Sequence, residues 1–293
     1  MEIREALQFW SEWYSRNADA WETRFARRRQ PIYQELVKRA GLSPGSRVLD
    51  IGTGTGGAAT EALGAVGASG HVIGIDASEG MLHIVEEKAA RLAVGNVEFA
   101  LMDMSSLQFP DESFDHVISS FAIYASFPPG VGVKEAYRVL RKGGQLTFTM
   151  FGKGVGGSDL LPQIYGAIFD KYRTRQPSDF LRKAREAAVL TYLGFFRYGP
   201  LAEPSDPSSV LGFLRGVGFR DLEASVVHHQ TVFPTIEDFV EDRAAVFSPI
   251  EYAEMTDEDK HRFIDECRAA IKPLVSHEGV VLEVEVMFYS GIK

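Results

Sequence analysis

The residues most suited to chemistry form a glycine-rich run directly after a short apolar segment. Residues 48–56 read Val-Leu-Asp-Ile-Gly-Thr-Gly-Thr-Gly, which places Asp50 at the end of a predicted strand and glycines at alternate positions after it. Because glycine has no Cβ, the backbone can turn tightly there and approach a ligand at the start of the next helix. Gly52, Gly54 and Gly57 also satisfy the G-x-G-x-x-G spacing of dinucleotide-binding proteins, and a glycine turn with no ligand is common. The run therefore predicts a cofactor site but does not name the cofactor.

Two further carboxylates follow later predicted strands. Asp76 comes directly after the apolar segment Val72–Ile75, and Asp103 follows Val97–Leu101. The first can accept hydrogen bonds from both hydroxyls of a ribose, and the second can accept one from the exocyclic amine of adenine. A nicotinamide-dependent enzyme needs Asp76, but it usually has an apolar residue where Asp50 stands and has no standing need for Asp103. The three acids together therefore favour a cofactor other than NAD.

The strand-and-helix pattern around these acids predicts a parallel sheet, because short apolar runs alternate with helical periodicity from Arg47 to Met150. One helical stripe runs from Val133 to Leu140, and Gly143-Gly144 is expected to end that helix. The predicted strands are Val48–Ile51, Val72–Ile75, Val97–Leu101, His116–Ser119, Gln145–Met150, Leu222–Val227 with an extension toward Phe233, and Val280–Tyr289.

The length of 293 residues predicts one large domain with smaller helical additions. Residues 1–44 are expected to be helices that cover the cofactor site. Residues 45–151 and 204–293 are expected to form the cofactor-binding domain. Residues 152–203 are expected to be an inserted helical cap, and residues 234–278 a second helical insertion.

Composition narrows the class of protein. The chain is 45% hydrophobic and 24% charged, and it has no apolar run near the ~18 residues of a membrane span. The N-terminus lacks the pattern of a secretory signal, and the single Cys267 permits no internal disulfide, so we expect a cytoplasmic protein. A net charge of −9 disfavours nucleic acid, and the His and Cys spacing predicts no metal site. We expect a monomer or a homodimer.

Four motifs of the chain resemble those of class I S-adenosylmethionine-dependent methyltransferases, and they occur in the same order as in that family. The chain is most similar to the branch that includes the ubiquinone/menaquinone C-methyltransferases, over roughly residues 45–150. The matching motifs are Val48–Gly56, Gly74–Ser78 with Met81-Leu82, Leu107–Asp115 and Glu135–Gly144. The resemblance implies an α/β fold with a Rossmann-like, mostly parallel seven-stranded sheet, helices on both faces, an antiparallel last strand and a mainly helical cap.

The resemblance also implies S-adenosylmethionine as the cofactor. The glycine turn would hold its methionine part, Asp76 its ribose and Asp103 the adenine amine, while the end of the fourth strand would meet the methionine ammonium through its backbone. The implied cofactor-binding residues are Asp50, Gly52, Thr53, Gly54, Gly56, Asp76, Ala77, Met81, Asp103, Met104, Ser119 and Phe121.

Catalytic residues cannot be transferred in this way, because Ala122–Ala125 stands where the family often has a histidine or asparagine. If the acceptor needs a base, the candidates are His228, His229 and Tyr14, with Tyr124 a comparable choice. His228 and His229 are adjacent in a predicted strand, so their side chains should face opposite ways.

The sequence favours methyl transfer to a small, apolar or aromatic metabolite at carbon, oxygen or nitrogen. The alternatives are an NAD(P)-dependent oxidoreductase and a fold relative that binds S-adenosylmethionine without transferring its methyl group. One basic residue of two groups could hold a carboxylate or phosphate of the acceptor, although such residues usually lie on solvated helix faces. The groups are Arg27–Arg29 and the residues Arg173, Arg175, Arg182, Lys183 and Arg185. Aromatic residues that could line an acceptor site, or simply pack the cap, are Phe169, Tyr172, Phe180, Tyr192, Phe195, Phe196 and Tyr198.

Overall fold

A computed structural model of the chain describes residues 2–92, 95–152, 160–174, 176–192, 206–247 and 249–293. Its sheet has seven strands in the order β3-β2-β1-β4-β5-β7-β6, and β7 alone runs antiparallel to its neighbours. This confirms the predicted mostly parallel sheet with an antiparallel last strand. The strands are β1 Arg47–Ile51, β2 His71–Asp76, β3 Val97–Leu101, β4 Phe114–Ser120, β5 Leu140–Phe151, β6 Arg220–Phe233 and β7 Val280–Ile292.

Helices cover both faces of the sheet. Helices α3 and α4 pack on one face around Leu36 and Ala59, and helices α6 and α9 pack on the other around Ala136 and Leu214. The described α-helices are α1 Ile3–Arg16, α2 Ala18–Trp21, α3 Gln30–Ala40, α4 Gly57–Val66, α5 Glu79–Leu92, α6 Val131–Val139, α7 Leu160–Tyr172, α8 Asp179–Tyr192, α9 Pro207–Val217, α10 Ile236–Phe247, α11 Pro249–Glu254 and α12 Asp257–Ile271. None of these helices is both long and apolar enough to cross a membrane.

Several predicted strand ends differ from the structure, and the start of β5 differs most. The sequence places Leu140 in a helix and starts the strand at Gln145, whereas α6 ends at Val139 and β5 starts at Leu140. Leu140 pairs with Phe114 of β4, and the register shifts before the next pair, so the first part of β5 extends the sheet through an irregularity. Cross-strand pairing and burial therefore outweigh the helical spacing of the apolar residues at this point.

The N-terminal segment lies against the loop that follows β2. The Ser11 hydroxyl donates a 2.6 Å hydrogen bond to the carbonyl of Ala77, and the hydroxyls of Ser15 and Ser78 are 2.8 Å apart. A Cβ at Gly80 would lie 2.2 Å from the Ser15 carbonyl oxygen, so α1 and α5 cross with their backbones almost in contact. A π-helix, Glu22–Ala26, and a 3₁₀ turn, Arg27–Arg29, lead from α2 to α3.

The helical segments after β5 and after β6 share a single apolar core. Tyr165 and Phe169 of α7 pack against Phe263 of α12, with ring centroids 5.6 and 5.5 Å apart. Helix α8 instead packs on α1, where the ring centroids of Phe180 and Phe9 are 5.4 Å apart. Of the seven cap aromatics named above, Phe169 is core, Tyr172 packs beside it and Phe180 is 42% exposed. The side chain of Tyr192 and the residues Phe195, Phe196 and Tyr198 lie outside the described residues.

Candidate active site

The glycine turn adopts a conformation that only glycine accepts without strain. Gly52, Gly54 and Gly56 have φ values of 70°, 55° and 82°. A Cβ at Gly52 would lie 2.2 Å from the Cβ of Ala122, and one at Gly56 would lie 2.1 Å from Val85. A Cβ at Gly54 would have no described atom within 4 Å. Gly52 and Gly56 are thus fixed by packing, whereas Gly54 faces open space at the edge of the sheet.

Asp50 is fully buried beside this turn. Its Oδ2 accepts a 2.7 Å hydrogen bond from the Thr53 hydroxyl, and its Oδ1 has no hydrogen-bond partner among the described residues. The pKa of Asp50 is raised to about 7, chiefly by burial and to a smaller extent by the negative charge of Asp76, while the Thr53 hydroxyl and the Ala59 backbone N–H oppose the shift. The site therefore holds a carboxyl group that a nearby cation would convert to the charged form.

Asp76 connects the glycine turn to the start of α5. Its Oδ2 accepts a 2.8 Å hydrogen bond from the Gly54 N–H, and its Oδ1 accepts a 2.9 Å bond from the Ser78 N–H. Burial raises the pKa of this carboxyl, and the backbone donors oppose that shift. Each carboxylate oxygen has a second lone pair, so Asp76 can still accept from a ligand.

The residues predicted to meet an adenine lie along the same edge. Ala77 is exposed, Met81 is buried, and Asp103 is exposed after β3. Asp103 Oδ1 accepts a 2.8 Å hydrogen bond from the Ser105 N–H, and Met104 packs against the core beside Gly52. The structure brings these side chains to one edge of the sheet, as their positions after β2 and β3 predict.

The end of β4 closes the other side of the turn. The Ser119 hydroxyl is bonded inside the protein, since it donates to the Ile51 carbonyl at 2.8 Å and accepts from the Ile123 N–H at 3.0 Å. Phe121 has a φ of 55°, which is unfavourable for a residue with a side chain, and its N–H donates to Thr149 Oγ1 at 3.1 Å. Backbone strain of this kind tends to occur at functional sites.

Two of the three predicted catalytic side chains reach this region. His229 lines a cavity beside Phe121, and burial lowers the pKa of its imidazole. Tyr14 is 38% exposed, and burial and the charge of Asp76 raise the pKa of its hydroxyl against the charge of Arg29, which places it near both of these residues. His228 points the other way, where its Nδ1 lies 3.1 Å from Glu283, and the structure does not bring it to the site. Tyr124 is partly buried, and burial strongly raises the pKa of its hydroxyl.

Two contributors to this region were not singled out by the sequence. Lys88 donates to the Thr55 carbonyl at 2.8 Å and pairs with Glu22 at 3.0 Å, which joins the glycine turn to the N-terminal segment. Phe151 stacks on Phe121 with centroids 4.2 Å apart. No local pattern marks either residue, because each acts through partners far away in the sequence. Among the described residues, no three His, Cys, Asp or Glu side chains cluster closely enough to hold a metal ion.

Comparison with known proteins matches the part of the chain that contains this edge of the sheet. The family model described as a methyltransferase domain matches residues 48–144. Those residues hold the glycine turn, Asp76, Asp103 and the end of β4.

Curated proteins and solved structures agree with that match. The chain is 32% identical over 192 residues to the ubiquinone/menaquinone biosynthesis C-methyltransferase UbiE of Marinomonas sp. strain MWYL1, covering 64% of this chain and 71% of the relative. It is 34% identical over 157 residues to phosphoethanolamine N-methyltransferase 2 of Caenorhabditis elegans, covering 53% of this chain but 33% of the relative. The fold resembles phosphoethanolamine N-methyltransferase 2 of Haemonchus contortus in complex with S-adenosyl-L-methionine, with a TM-score of 0.53, 19% identity and coverage of 90% and 52% of the two chains.

The fold, the glycine turn after β1 and the acidic side chains at the same edge of the sheet define a Rossmann-like cofactor-binding protein. The chain belongs to the class I S-adenosylmethionine-dependent methyltransferases, in the branch that resembles the UbiE-type C-methyltransferases. Enzymes of this class take S-adenosylmethionine as cofactor and methyl donor, and the comparisons do not favour an NAD(P)-dependent oxidoreductase.

Proposed function

We propose that this protein transfers the methyl group of S-adenosylmethionine to a small acceptor bound beside the end of β4. The observation that carries the proposal is the buried Asp50 carboxyl, whose Oδ1 lacks a partner among the described residues. The amino group of the cofactor's methionine part would supply both the missing donor and a positive charge. An orphaned buried oxygen is costly, so a ligand that pairs with it gains binding free energy.

The other cofactor contacts are assigned on the same basis. Gly52 and Gly54, with Thr53 and Gly56 shaping the turn, would let the backbone approach the methionine part. Asp76 would accept from the ribose hydroxyls. The remaining proposed contacts are Ala77 and Met81 beside the adenine, Asp103 and the Met104 backbone at its polar edge, and the backbones of Ser119 and Phe121 at the methionine end.

The domain assignment follows from these contacts. We propose that residues 45–151 and 204–293 bind the cofactor and that residues 1–44 cover it, which the Ser11 contact with Ala77 and the Lys88 contact with Glu22 support. We assign residues 152–203 and 234–278 to the acceptor end, because α8 packs on α1 and because Asp242 and Arg243 of α10 line the cavity beside Phe121.

When bound, S-adenosylmethionine supplies an already activated methyl group, so the protein's main tasks are to align the acceptor and to exclude water. His229 has a lowered pKa and is neutral near pH 7, so its ring can accept a proton that the acceptor loses. Tyr14 keeps its proton, because the pKa of its hydroxyl is raised, and it can therefore donate a hydrogen bond. These roles suit small apolar or aromatic acceptors methylated at carbon, oxygen or nitrogen.

The proposal also covers the cellular location, the partners and the oligomeric state of the protein. The single cysteine, Cys267, is a buried thiol, which supports a cytoplasmic location. The net charge of −9 supports the absence of a nucleic-acid partner. A monomer or homodimer remains our prediction, and light scattering coupled to size-exclusion chromatography measures it directly.

Ligand-dependent melting tests the function. We expect S-adenosylmethionine and S-adenosylhomocysteine to raise the melting temperature, and we expect NADH to leave it unchanged, because Asp50 and Asp103 have no role in a nicotinamide site. The opposite pattern would overturn the proposal.

A turnover assay tests methyl transfer itself. Incubation of the enzyme and S-adenosylmethionine with a panel of small phenols, amines and carboxylic acids should yield S-adenosylhomocysteine together with a product that carries one additional methyl group. A protein that binds the cofactor but never forms that pair of products would be a non-transferring fold relative.

A further inference from the structure

Arg29 has surroundings that cofactor binding does not explain. Its guanidinium carbon lies 4.7 Å from the ring centroid of Phe121 and 5.0 Å from that of Phe25. It lies 5.5 Å from the rings of both Trp21 and Phe151. These rings form two stacked pairs, Trp21 with Phe25 at 4.7 Å and Phe121 with Phe151 at 4.2 Å. The cation is thus fixed between one aromatic pair of the N-terminal segment and one at the edge of the sheet.

Arg29 makes no ion pair with a carboxylate in the parts of the chain that the structure describes. Its neighbours differ in this respect, since Arg28 and Arg243 both pair with the buried Asp242. Cation–π contacts compensate only part of the loss of hydration of a guanidinium. A partly buried positive charge therefore remains available for a negative ligand.

The guanidinium group of Arg29 lies at a cavity next to the proposed methyl-transfer site. The cavity has a volume of about 60 Å³, and its lining includes Arg29, Phe121, Phe151, His229 and Thr231. Since about 10–15 Å³ of such volume is enough for one water molecule, the cavity has room for a group of carboxylate or phosphate size. Phe121 belongs both to this lining and to the proposed methionine end of the cofactor site.

We propose that this cavity binds an oxyanion, a carboxylate or phosphate group, of the methyl acceptor, and that Arg29 determines this specificity. The inference rests on the proposed function, because it identifies the class of acceptor for the same site. The proposed acceptor has an anionic end, which Arg29 holds, and an apolar or aromatic body, which lies beside the stacked rings.

The chemistry of the lining fits this ligand. A guanidinium offers parallel N–H donors that match the two oxygens of a carboxylate or phosphate, and charge-assisted bonds of this type are stronger than neutral ones. The Thr231 hydroxyl can donate a further hydrogen bond. His229, also in the lining, has a pKa lowered by burial and by the positive charge of Arg29, so an anion would favour its protonated form.

Calorimetric titration of the protein saturated with S-adenosylhomocysteine tests the inference. The probes are benzoate and phenyl phosphate, with benzyl alcohol as the neutral match. We expect at least one anionic probe to bind tenfold or more tightly than benzyl alcohol, and the tighter of the two identifies the group. Equal binding of all three probes would overturn the inference and leave the proposed function standing. Failure of S-adenosylhomocysteine itself to bind would overturn the proposed function.

Three variants separate a binding role from a packing role for Arg29. Arg29→Gln should abolish the preference for the anionic probe, and Arg29→Lys should keep part of it. Arg27→Gln is the matched control, because Arg27 is exposed and lies outside the cavity lining. Retention of the full preference in Arg29→Gln would show that the cation only holds the aromatic rings in place. If Arg29→Gln does not bind S-adenosylhomocysteine, Arg29→Lys and the comparison of probes on the wild type decide the question.

Discussion

The Thr53 hydroxyl donates a 2.7 Å hydrogen bond to Oδ2 of Asp50, while Oδ1 of the same buried carboxyl has no partner among the described residues. One oxygen is therefore held by the protein, and the other is ready for a ligand. Two predictions follow from the titration of this carboxyl.

The first concerns stability without cofactor. Burial raises the pKa of Asp50 to about 7, whereas the unfolded chain loses this proton near pH ~3.9. The stabilising contribution of the folded-state proton is therefore fully present below about pH 4 and is lost as the pH rises through about 7. Asp50→Asn cannot titrate, so at pH 8 it should be more stable than the wild type by about 2–4 kcal/mol. Denaturant unfolding between pH 5 and 8 measures this, and parallel curves for the two proteins would contradict it.

The second concerns proton release. A positively charged amino group at Asp50 lowers the pKa of the carboxyl, so cofactor binding at pH 7 should release about half a proton. Titration with S-adenosylhomocysteine in two buffers of different ionisation enthalpy measures the release. Asp50→Asn should bind more weakly and release none. Equal release by the variant would assign the proton to another group.

The glycine turn offers a matched pair of substitutions. Gly52→Ala should destabilise the fold strongly, because its Cβ would lie 2.2 Å from that of Ala122 in addition to the strain of a positive φ. Gly54→Ala meets no described atom and should cost only about 1–2 kcal/mol of stability through backbone strain. Its larger effect should be on cofactor affinity, because its methyl group points into the open space of the site. Thermal unfolding and calorimetry of both variants compare the two costs. An unchanged affinity of Gly54→Ala would remove Gly54 from the proposed site.

The crossing of α1 and α5 gives a test of the covering role of the N-terminal segment. Gly80→Ala should displace α1, because its Cβ would lie 2.2 Å from the Ser15 carbonyl oxygen. The Ser11 hydrogen bond to Ala77 would be strained as well, and we expect affinity for S-adenosylhomocysteine to fall about tenfold. Gly64→Ala in α4 is the control, because a Cβ there has no described atom within 4 Å. That control should be neutral or gain up to about 1 kcal/mol of stability from helix propensity. Equal affinities of the two variants would show that α1 does not contribute to the site.

His229 should report on the cavity directly. Burial and the charge of Arg29 lower the pKa of its imidazole, so its NMR signal should titrate below the ordinary value of about 6.5. Benzoate in the cavity should raise this pKa, since a negative charge favours the imidazolium form. His229→Gln assigns the signal by its loss. A pKa that benzoate does not change would place the anion elsewhere.

The common edge at which Asp50, Asp76 and Asp103 lie could be predicted from the sequence, because it depends on local order. Asp50, Asp76 and Asp103 each follow a short apolar strand, and parallel strands bring their carboxyl ends to one edge. Strand lengths were less well predicted, and Leu140 shows why. Its spacing fits a helix, yet its pairing with Phe114 places it in β5.

The acceptor half could not be predicted in the same way. The surroundings of Arg29 combine rings from residues 21, 25, 121 and 151, and no pattern along the chain joins those positions. Conversely, the aromatic spacing around Phe169 is the same for a helix that lines a pocket and for one that fills a core. The structure places Phe169 in the core that α7 shares with α12.

The position of Phe121, which has a left-handed backbone conformation, has a consequence for how the two proposed ligands affect each other. Phe121 directly follows β4, whose end we assign to the methionine part of the cofactor, and its ring contacts Phe151 and Arg29. A ligand on either side that fixes this residue removes part of the ordering cost for the other ligand. The two ligands should therefore raise each other's affinity by the same factor, as thermodynamic linkage requires.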